Sequence, residues 1–511
     1  MSHIVHSWVY LHAIAVMSEP ARALTAEQQR ILDIDTEVSK INAVAGSGKT
    51  TTLLAYAASR PGERMLYLAY NRAMAEEVKL KAQQQGLANL RISTLHGMAW
   101  QQQGRQLTLG DELNEWQILE HYCPPELRHG EEGMLLAWLL RDLMVFYLNA
   151  AHRLVDDELL HLYCLMNQPQ PHVMALLQTR SAVVLALLLQ MLGDMKSGKT
   201  PAWHDFYLKL FQFSRRPLPY DVILLDEAQD SSAVMLAILE RQPARKILVG
   251  DGFQQIYAFR FAINSLDRVH APEFSLSQSF RFGDGLARHL SAQISEAYQL
   301  LGLTQRLQMR GSQKQTDYGW KPVWREGPKA VVSRSNLKLL DACLTHLEKG
   351  RSGLHFEGGY GSYSLMNGRV FSLLHLQEGK HEQVSDPLIR RFRHAGQVDD
   401  FARETQNQQL TQLMDLVRRY GKKLFHLDRQ IKAALVDKAD AQLVLSTTHR
   451  AKGQEYDHVS MTQGDFTTRD ELRRQLRSEK KATPIARLRE EVNIYYVAAT
   501  RARSSIYLAP F

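Results

Sequence analysis

Two patterns of apolar and polar residues alternate along this chain. Short apolar runs that end in glycine or polar residues predict buried parallel strands, because a strand covered on both faces has few polar positions. Elsewhere, apolar residues such as Leu139, Leu140, Leu143 and Tyr147 recur three and four positions apart, which predicts helices. The predicted strands comprise residues 41–44, 65–70, 90–93, 222–225, 246–249, 330–333, 444–447, 458–461 and 506–508.

The order of these elements predicts an α/β protein with two parallel sheets. Strand patterns are absent from two long stretches, residues 100–199 and 370–438, which we interpret as helical insertions, one in each sheet-forming part. At 511 residues the chain exceeds what one hydrophobic core covers, so at least two domains are expected.

The segment after the first predicted strand has the order of a phosphate-binding loop. Gly46, Ser47 and Gly48 precede Lys49 and Thr50, and a helix-compatible stretch comes next. Glycine lets the backbone curl so that its N–H groups converge on phosphate oxygens at a helix N-terminus. The lysine then reaches the β- and γ-phosphates of ATP, and the threonine hydroxyl binds Mg²⁺. We therefore expect ATP and Mg²⁺ as cofactors.

A second stretch, residues 193–200 (GDMKSGKT), fits the strict spacing of such a loop, whereas the first begins with Ala43 in place of glycine. The second stretch follows a Leu-rich helical pattern rather than a strand. Pro201 also stands where the phosphate-binding helix would have to continue. We interpret residues 193–200 as a turn that connects helices.

Polar side chains that follow predicted strands extend the nucleotide site. Asp226 and Glu227 come directly after the fourth predicted strand, where the first would hold Mg²⁺ and the second would orient and deprotonate the attacking water. Gln28 offers an amide donor and acceptor suited to adenine N6 and N7, although by itself it also fits a helix start. Gln254, after the fifth predicted strand, is placed to sense the γ-phosphate.

Other residues at strand ends are candidate nucleic-acid contacts, because ligands bind at the carboxyl edge of open parallel sheets. These residues are Tyr70, Asn71, Arg72, Thr94 and His96. Tyr257 and Phe259 lie at alternate positions and could offer rings to bases, where stacking is worth about 1–3 kcal/mol per base. A lone histidine or an aromatic pair is also common in a protein core, so that alternative stays open.

Composition narrows the class of protein only slightly. The formal net charge of +8 and the pI near 9.2 suit a polyanionic partner, but over this length they also suit an ordinary basic protein. Cys123, Cys164 and Cys343 lie far apart, which excludes a four-cysteine iron–sulfur or zinc site and a disulfide framework. We find no run of about 18 apolar residues and therefore expect no membrane partner. Residues 1–16 lack a basic start, so we expect no signal peptide.

Seven motifs in the same order make the chain resemble the UvrD/Rep group of superfamily 1 helicases, over residues 24–508. The motifs are Gln28, AVAGSGKT (43–50), LDEAQD (225–230), VGDGFQQIYAFR (249–260), SFR (279–281), TTHRAKGQE (447–455) and YVAATRAR (496–503). Within that group, HDFYLKLFQ (204–212) and LHFEGGYGSYSL (354–365) are similar to the helicase part of F-box DNA helicases. We expect no F-box in this chain.

The resemblance implies roles for residues in both halves of the chain. Arg281 and Arg501 look like arginine fingers that reach the γ-phosphate, and Glu455 looks like the ribose contact. The implied ATP-binding residues are Gln28, Ala45, Gly46, Ser47, Gly48, Lys49, Thr50, Thr51 and Glu455. The implied DNA-binding residues are Tyr70, Asn71, Arg72, Thr94, His96, Tyr257, Phe259, Arg260, Thr447, His449 and Lys452, of which the last three would couple DNA to the nucleotide.

The family fold is two RecA-like domains, each interrupted by an insertion, with ATP between them and single-stranded DNA across their top. The implied division is an N-terminal extension at 1–23, a first domain at 24–100 and 201–278 with an insertion at 101–200, and a second domain at 279–369 and 439–511 with a reduced insertion at 370–438.

The expected function is ATP-driven 3′→5′ movement on single-stranded DNA and at single-strand/duplex junctions. Two alternatives stay open. One is a translocase that displaces bound protein with little unwinding. The other is an NTPase subunit that works with a protein partner in a DNA repair or anti-phage defence complex. We expect a cytoplasmic protein.

Overall fold

The protein is described by a computed structural model that covers residues 23–257, 264–320, 329–363, 368–477 and 484–511. Two six-stranded sheets with helices around them dominate the described residues, and every strand pair in both sheets is parallel. This arrangement confirms the predicted fold class. The domain boundaries stay a prediction.

The first sheet has the order β3-β2-β4-β5-β1-β6. Its strands are β1 Val38–Ala43, β2 Met65–Leu68, β3 Leu90–Ser93, β4 Val222–Leu225, β5 Arg245–Gly250 and β6 Glu273–Leu276. All four residues of both β2 and β4 are buried, as expected of central strands that helices cover on both faces. β6 was not predicted, because only Leu276 of its four residues is buried and the strand lies at the edge of the sheet.

The second sheet has the order β11-β12-β10-β13-β14-β9. Its strands are β9 Asp317–Gly319, β10 Lys329–Ser333, β11 Leu354–Phe356, β12 Leu443–Thr447, β13 Tyr456–Met461 and β14 Ala502–Tyr507. A separate two-stranded sheet pairs β7 Gln278–Gly283 with β8 Arg310–Ser312. The sequence placed Arg281 in the second large sheet, and this is wrong: Arg281 belongs to β7, which among the described residues pairs with β8 and not with that sheet. Arg501, which was also placed in the second sheet, immediately precedes β14, and this strand begins four residues earlier than the predicted 506–508.

Helices surround both sheets and form most of the two insertions. In the first half of the chain they are Ala26–Leu32, Lys49–Ala58, Arg72–Gln84, Leu95–Ala99, Glu115–His121, Glu131–Asn149, Asp157–Asn167, Pro171–Ser197, Phe206–Ser214, Ala233–Glu240 and Ser265–Arg268. In the second half they are Asp284–Leu300, Asn336–Glu348, Gly368–Gln377, Ala395–Glu404, Gln408–Tyr420, Lys423–Ala433, Thr448–Ala451, Arg469–Arg477 and Ile485–Ala499.

The two insertions contact each other. One cluster of buried apolar side chains includes residues from both. Arg391 of the second insertion forms an ion pair with Glu120 of the first at 2.6 Å, and its guanidinium lies 4.5 Å from the ring centre of Trp116. The packing of the insertions is therefore not confined to the domain that each one interrupts.

The helix Pro171–Ser197 shows how the second glycine-rich stretch, residues 193–200, is folded. Gly193 lies inside this helix, and Gly198 ends it in a left-handed conformation with φ +77°. Residues 193–200 thus form a helix end and the turn after it, as the position of Pro201 predicted, and no strand leads into them.

The same helix bears on one expectation from composition. Pro171–Ser197 is long and apolar enough to cross a membrane, because an 18-residue window has a mean hydropathy of 1.7. The count of uninterrupted apolar residues missed it, since Gln178, Thr179 and Arg180 break the run. Of that window 28% is buried inside the protein, and a single helix of this kind among the described residues is weak evidence for a membrane span.

The stretch HDFYLKLFQ connects the first sheet to the first insertion. Its lysine, Lys209, is buried and donates hydrogen bonds to the carbonyls of Ala150 (2.8 Å) and His152 (2.5 Å), just beyond the helix Glu131–Asn149. Gln212 donates to the carbonyl of Ala151 at 2.7 Å. Three consecutive carbonyls that lie outside the helix therefore receive their donors from this stretch.

We expect Lys209→Met to lower the free energy of unfolding by about 2–4 kcal/mol, because two buried carbonyls lose their donor. Burial, followed by the charge of Arg153, lowers the pKa of Lys209 from 10.5 to about 7. Between those values the unfolded chain binds the extra proton, so this lysine adds stability as the pH rises. Denaturant unfolding should show the wild-type advantage growing from pH 7 to pH 9.

The matched control is Lys196→Met, which changes an exposed lysine of the neighbouring helix. It should leave stability within about 0.5 kcal/mol of the wild type at both pH values. An equal effect of the two substitutions would show that Lys209 is not a structural donor.

Candidate nucleotide-binding and DNA-contact site

The loop between β1 and the helix Lys49–Ala58 has the backbone of a phosphate cradle. Gly46 and Gly48 have φ +73° and +79°, which residues with a Cβ rarely adopt. A Cβ on Gly46 would also lie 2.7 Å from the Cβ of Arg281 and 2.9 Å from the Oγ of Ser279. Glycine is therefore required here both for the turn and for the close approach of β7.

Lys49 and Glu227 form a largely buried ion pair at this loop, with Nζ 2.7 Å from Oε1. Burial by itself opposes the charge on Lys49, but Glu227 and Asp226 raise its pKa above the ordinary value. Lys49 and Lys452 likewise outweigh burial and hold the pKa of Glu227 at about 2. Both groups are thus charged at neutral pH, and the lysine occupies the position from which it would meet a phosphate.

Asp226 is held in place from two sides. Its Oδ2 accepts a hydrogen bond from the hydroxyl of Tyr67 at 2.6 Å, and its Oδ1 accepts one from the N–H of Glu227 at 2.9 Å. Glu227 has φ +54°, a left-handed conformation that is uncommon outside glycine and that clusters at functional sites. The Tyr67 hydroxyl also interacts with Thr50, so the two predicted Mg²⁺ ligands, Thr50 and Asp226, share one neighbour.

Glutamine and tyrosine side chains join the two sheets behind the ion pair. Gln229 donates to Glu227 at 2.5 Å and accepts from the N–H of Asp251 at 3.0 Å. Gln254 donates to Asp251 at 2.8 Å, so the residue predicted to sense the γ-phosphate is bound to a buried carboxylate. The hydroxyl of Tyr496 donates to the same carboxylate at 3.1 Å and accepts from the loop N–H of Ala45 at 3.2 Å.

Gln28 lies beside the loop, as the prediction of an adenine contact requires. Its Oε1 accepts from the N–H of Thr25 at 3.0 Å, which completes a capping box, and its Nε2 donates to Thr52 at 3.0 Å. Both halves of the amide are therefore engaged within the protein. Ser47 has a buried Oγ without a hydrogen-bond partner among the described residues, whereas Thr51 is exposed.

The two predicted arginine fingers differ in their surroundings. Arg281 donates to the carboxylate of Glu455 at 2.6 Å and to the carbonyl of Thr500 at 2.8 Å. Arg501 is 1% exposed and donates to the carbonyls of Val497 (2.7 Å) and Gln454 (3.3 Å). Burial, followed by the charge of Arg281, lowers the pKa of Arg501 to about 9. Both guanidinium groups are thus held by partners from the second half of the chain.

Four of the predicted DNA contacts meet between the sheets. The rings of Tyr70 and Tyr257 stack with centroids 5.7 Å apart, and the Tyr257 hydroxyl donates to the carbonyl of His449 at 3.0 Å. Lys452 has its Nζ 5.2 Å from the centre of the Tyr257 ring. The same Nζ forms a hydrogen-bonded ion pair with Asp230, whose carboxylate is fully buried. Burial raises the pKa of Asp230 to about 6, although Lys452 opposes that shift.

The other predicted DNA contacts lie at strand ends or outside the described residues. Asn71 and Thr94 cap the helices that follow β2 and β3, and the Nε2 of His96 lies 2.7 Å from Asp205. Arg72 is exposed and Thr447 is buried at the end of β12. Phe259 and Arg260 lie outside the described residues.

Sequence reasoning missed several residues that organise this site. Tyr67 gave no signal, because it is one apolar-looking position in a fully buried strand. Gln229, Asp230, Asp251 and Tyr496 were inside quoted motifs but received no role. Membership in a motif was the only sequence signal that these four residues are important. Their hydrogen bonds depend on partners that are distant in the chain.

Comparison with known proteins agrees with this geometry. A family model described as an AAA domain matches residues 28–260, and one described as the UvrD-like helicase C-terminal domain matches residues 367–510. F-box DNA helicase 1 of Gallus gallus is 28% identical over 520 aligned positions that cover 95% of this chain. F-box DNA helicase protein 1 of Schizosaccharomyces pombe is 28% identical over 550 positions that cover 99% of it. The chain belongs to the UvrD-like superfamily 1 helicases.

This UvrD-like chain spans 49% of the length of the chicken relative and 60% of the length of the yeast relative. Membership supports nucleotide and DNA binding in general terms. The roles of individual site residues stay predictions.

The described residues fit ATP and Mg²⁺. The loop has the two glycine conformations of a phosphate cradle, an unpartnered buried hydroxyl on Ser47 and a charged lysine. Thr50 and Asp226 would hold the metal, which supplies charge neutralisation at the phosphates.

We expect Lys49→Ala and Glu227→Gln both to abolish ATP turnover but to differ in nucleotide binding. The lysine would contact phosphate, whereas the glutamate would act on water. Only Lys49→Ala should therefore lose affinity for a fluorescent ATP analogue, measured by equilibrium titration. Equal affinities in the two variants would contradict this division of roles.

We expect Arg281→Ala and Arg501→Ala each to lower kcat by about 10³ or more, because fingers stabilise charge in the transition state. Steady-state ATPase assays would measure this. Since Arg501 is buried, thermal unfolding of Arg501→Ala and of the milder Arg501→Lys must accompany the kinetics. Near-normal turnover of either alanine variant would remove that arginine from the site.

Proposed function

We propose that this protein is an ATP-driven motor that moves along single-stranded DNA in the 3′→5′ direction. Family membership supports a DNA helicase or translocase in general. Direction and coupling to ATP hydrolysis are our proposals.

The proposed coupling of movement to ATP hydrolysis rests on one observation. Residues of the second half of the chain contact the phosphate loop itself. The N–H of Phe280 donates to the carbonyl of Gly46 at 2.9 Å, and the Tyr496 hydroxyl accepts from the N–H of Ala45. ATP bound at Lys49 would therefore touch groups from both halves. Its γ-phosphate would attract the guanidinium of Arg281, and hydrolysis would remove that partner.

The ion pair of Lys452 and Asp230 supports a link between this site and DNA. Asp230 lies three residues after Glu227, in the same motif, and Lys452 lies against the Tyr257 ring. A base that stacks on Tyr257 would compete with the present neighbours of that ring, which are Tyr70, His449 and Lys452. Displacing Lys452 would leave a buried carboxylate unpaired, which is costly. DNA binding would thereby change the energy of the nucleotide site.

The second insertion favours a motor that displaces proteins over one that unwinds long duplexes. Its predicted bounds are residues 370–438, and many of its cations already have acidic partners. Arg418 is paired with Asp399, and Arg419 is paired with Asp341 at 2.8 Å. An insertion with fewer unpaired cations binds the phosphates of a duplex more weakly. An NTPase subunit of a repair or defence complex remains the second candidate function.

We expect ATP turnover to rise when single-stranded DNA is added, and movement to begin only from a 3′ tail. Strand displacement and streptavidin displacement, measured on matched substrates with 3′ or 5′ tails, test both points. Lys49→Ala is the control without turnover. The isolated protein should release streptavidin faster than it separates a long duplex.

Movement from the 5′ tail, or rapid processive unwinding, would contradict this proposal. Turnover that does not respond to DNA would instead favour the nucleotide-dependent subunit.

A further inference from the structure

The first residues of HDFYLKLFQ lie against His96, one of the predicted DNA contacts. The ring of His204 lies beside that of His96, with centroids 4.6 Å apart and a tilt of 34°. Asp205 has its Oδ1 2.7 Å from the Nε2 of His96. A stretch distant in sequence therefore places an imidazole and a carboxylate on a single predicted contact.

Asp205 is itself fixed. Its Oδ2 accepts a hydrogen bond from Asn149 at 3.0 Å, at the end of the insertion helix Glu131–Asn149. Burial opposes its charge, but the neighbouring His204 and the hydrogen bonds to His96 and Asn149 hold the pKa of this carboxyl well below its usual range. The carboxylate is thus a permanent acceptor. It occupies the Nε2 of His96 and leaves Nδ1 as the ring atom available to a ligand.

His204 differs from its neighbours in exposure. Its side chain is 68% exposed, whereas those of His96 and Asp205 are 20% and 30% exposed. Its Nε2 lies 2.9 Å from the hydroxyl of Tyr207, and the Tyr207 ring packs edge-on against Trp100. Because Tyr207 and Trp100 lie behind the exposed ring of His204, this ring keeps one orientation. It therefore loses little conformational freedom when it binds.

We propose that His204 is a further DNA-contact residue and that Asp205 is a positioning residue that orients His96 toward the strand. The proposal rests on the proposed function. His96 follows β3 at the same sheet edge as Tyr70, which follows β2, so a strand that crosses this edge passes both. Imidazole can stack on a base and can donate a hydrogen bond to a phosphate.

A metal site is the competing use of these three side chains. Their ligand atoms lie within 4.8 Å of one another. Two ligands of one tetrahedral zinc ion, each at about 2.0–2.1 Å, would lie about 3.3 Å apart. The 2.7 Å between His96 and Asp205 is instead the length of a hydrogen bond, which favours the DNA-contact assignment.

The first experiment measures binding of a fluorescent oligo-dT by anisotropy, without nucleotide and in EDTA. His204→Ala should weaken binding at least about 5-fold, the low end of the loss of a base-stacking ring. The matched control is His161→Ala, an exposed histidine of the first insertion, which should bind like the wild type. Affinity for a fluorescent ATP analogue should be unchanged in both. Wild-type DNA affinity in His204→Ala would overturn the assignment.

The second experiment tests positioning with a double-mutant cycle. Asp205→Ala should weaken DNA binding in the wild-type background but not in His96→Ala, because it acts through that ring. Asp205→Asn, which keeps an acceptor oxygen, should lose less. The same loss in both backgrounds would mean that Asp205 acts through the fold, and would overturn the positioning role.

The outcomes separate this inference from the proposed function. If the wild type binds the oligonucleotide neither in EDTA nor with added Zn²⁺, both fail. If the wild type binds, and both His204→Ala and Asp205→Asn bind as tightly as the wild type, only this inference fails. Binding that is lost in EDTA and restored by Zn²⁺ would assign the three side chains to a metal and would also overturn it.

Discussion

The largely buried ion pair between Lys49 and Glu227 is the constraint on which the rest of the site depends. Moving two charges out of water costs free energy unless the charges are paired. In the absence of nucleotide, Lys49 and Glu227 are paired with each other. A phosphate bound at Lys49 would take over the role of the carboxylate. Glu227 would then be released for a water molecule, so on the proposed roles one contact would both stabilise the site and prepare it for chemistry.

Other polar groups can be understood as extensions of that pair. Gln229 connects Glu227 to the backbone of Asp251, and Tyr496 connects Asp251 to the phosphate loop. On the other side, Lys452 lowers the pKa of Glu227 while it pairs with Asp230. Since Tyr496 and Lys452 come from the second half of the chain, a change of charge at the loop alters what holds the two halves together.

The stretch HDFYLKLFQ shows how one short helix serves two surfaces. Lys209 and Gln212 supply donors to the carbonyls that follow the helix Glu131–Asn149. Asp205 joins Asn149 at the end of that helix to His96 at the edge of the first sheet. The same nine residues therefore anchor both the insertion and a predicted DNA contact. These contacts explain in physical terms why the sequence of this stretch matters.

Local chemistry was enough to predict the parts of this protein that are contiguous in sequence. The glycines of the phosphate loop, the buried run Val222–Leu225 and the carboxylates after it each depend on neighbours a few residues away, so their pattern is legible in the sequence. Tertiary structure alone decided the rest. Arg281 lies in β7, which pairs with β8 rather than with the second sheet, Tyr67 meets Asp226, and Asp205 meets His96 across 109 positions. Such partners depend on how the chain folds back on itself, and no local pattern of apolar and polar residues encodes which side chains will meet.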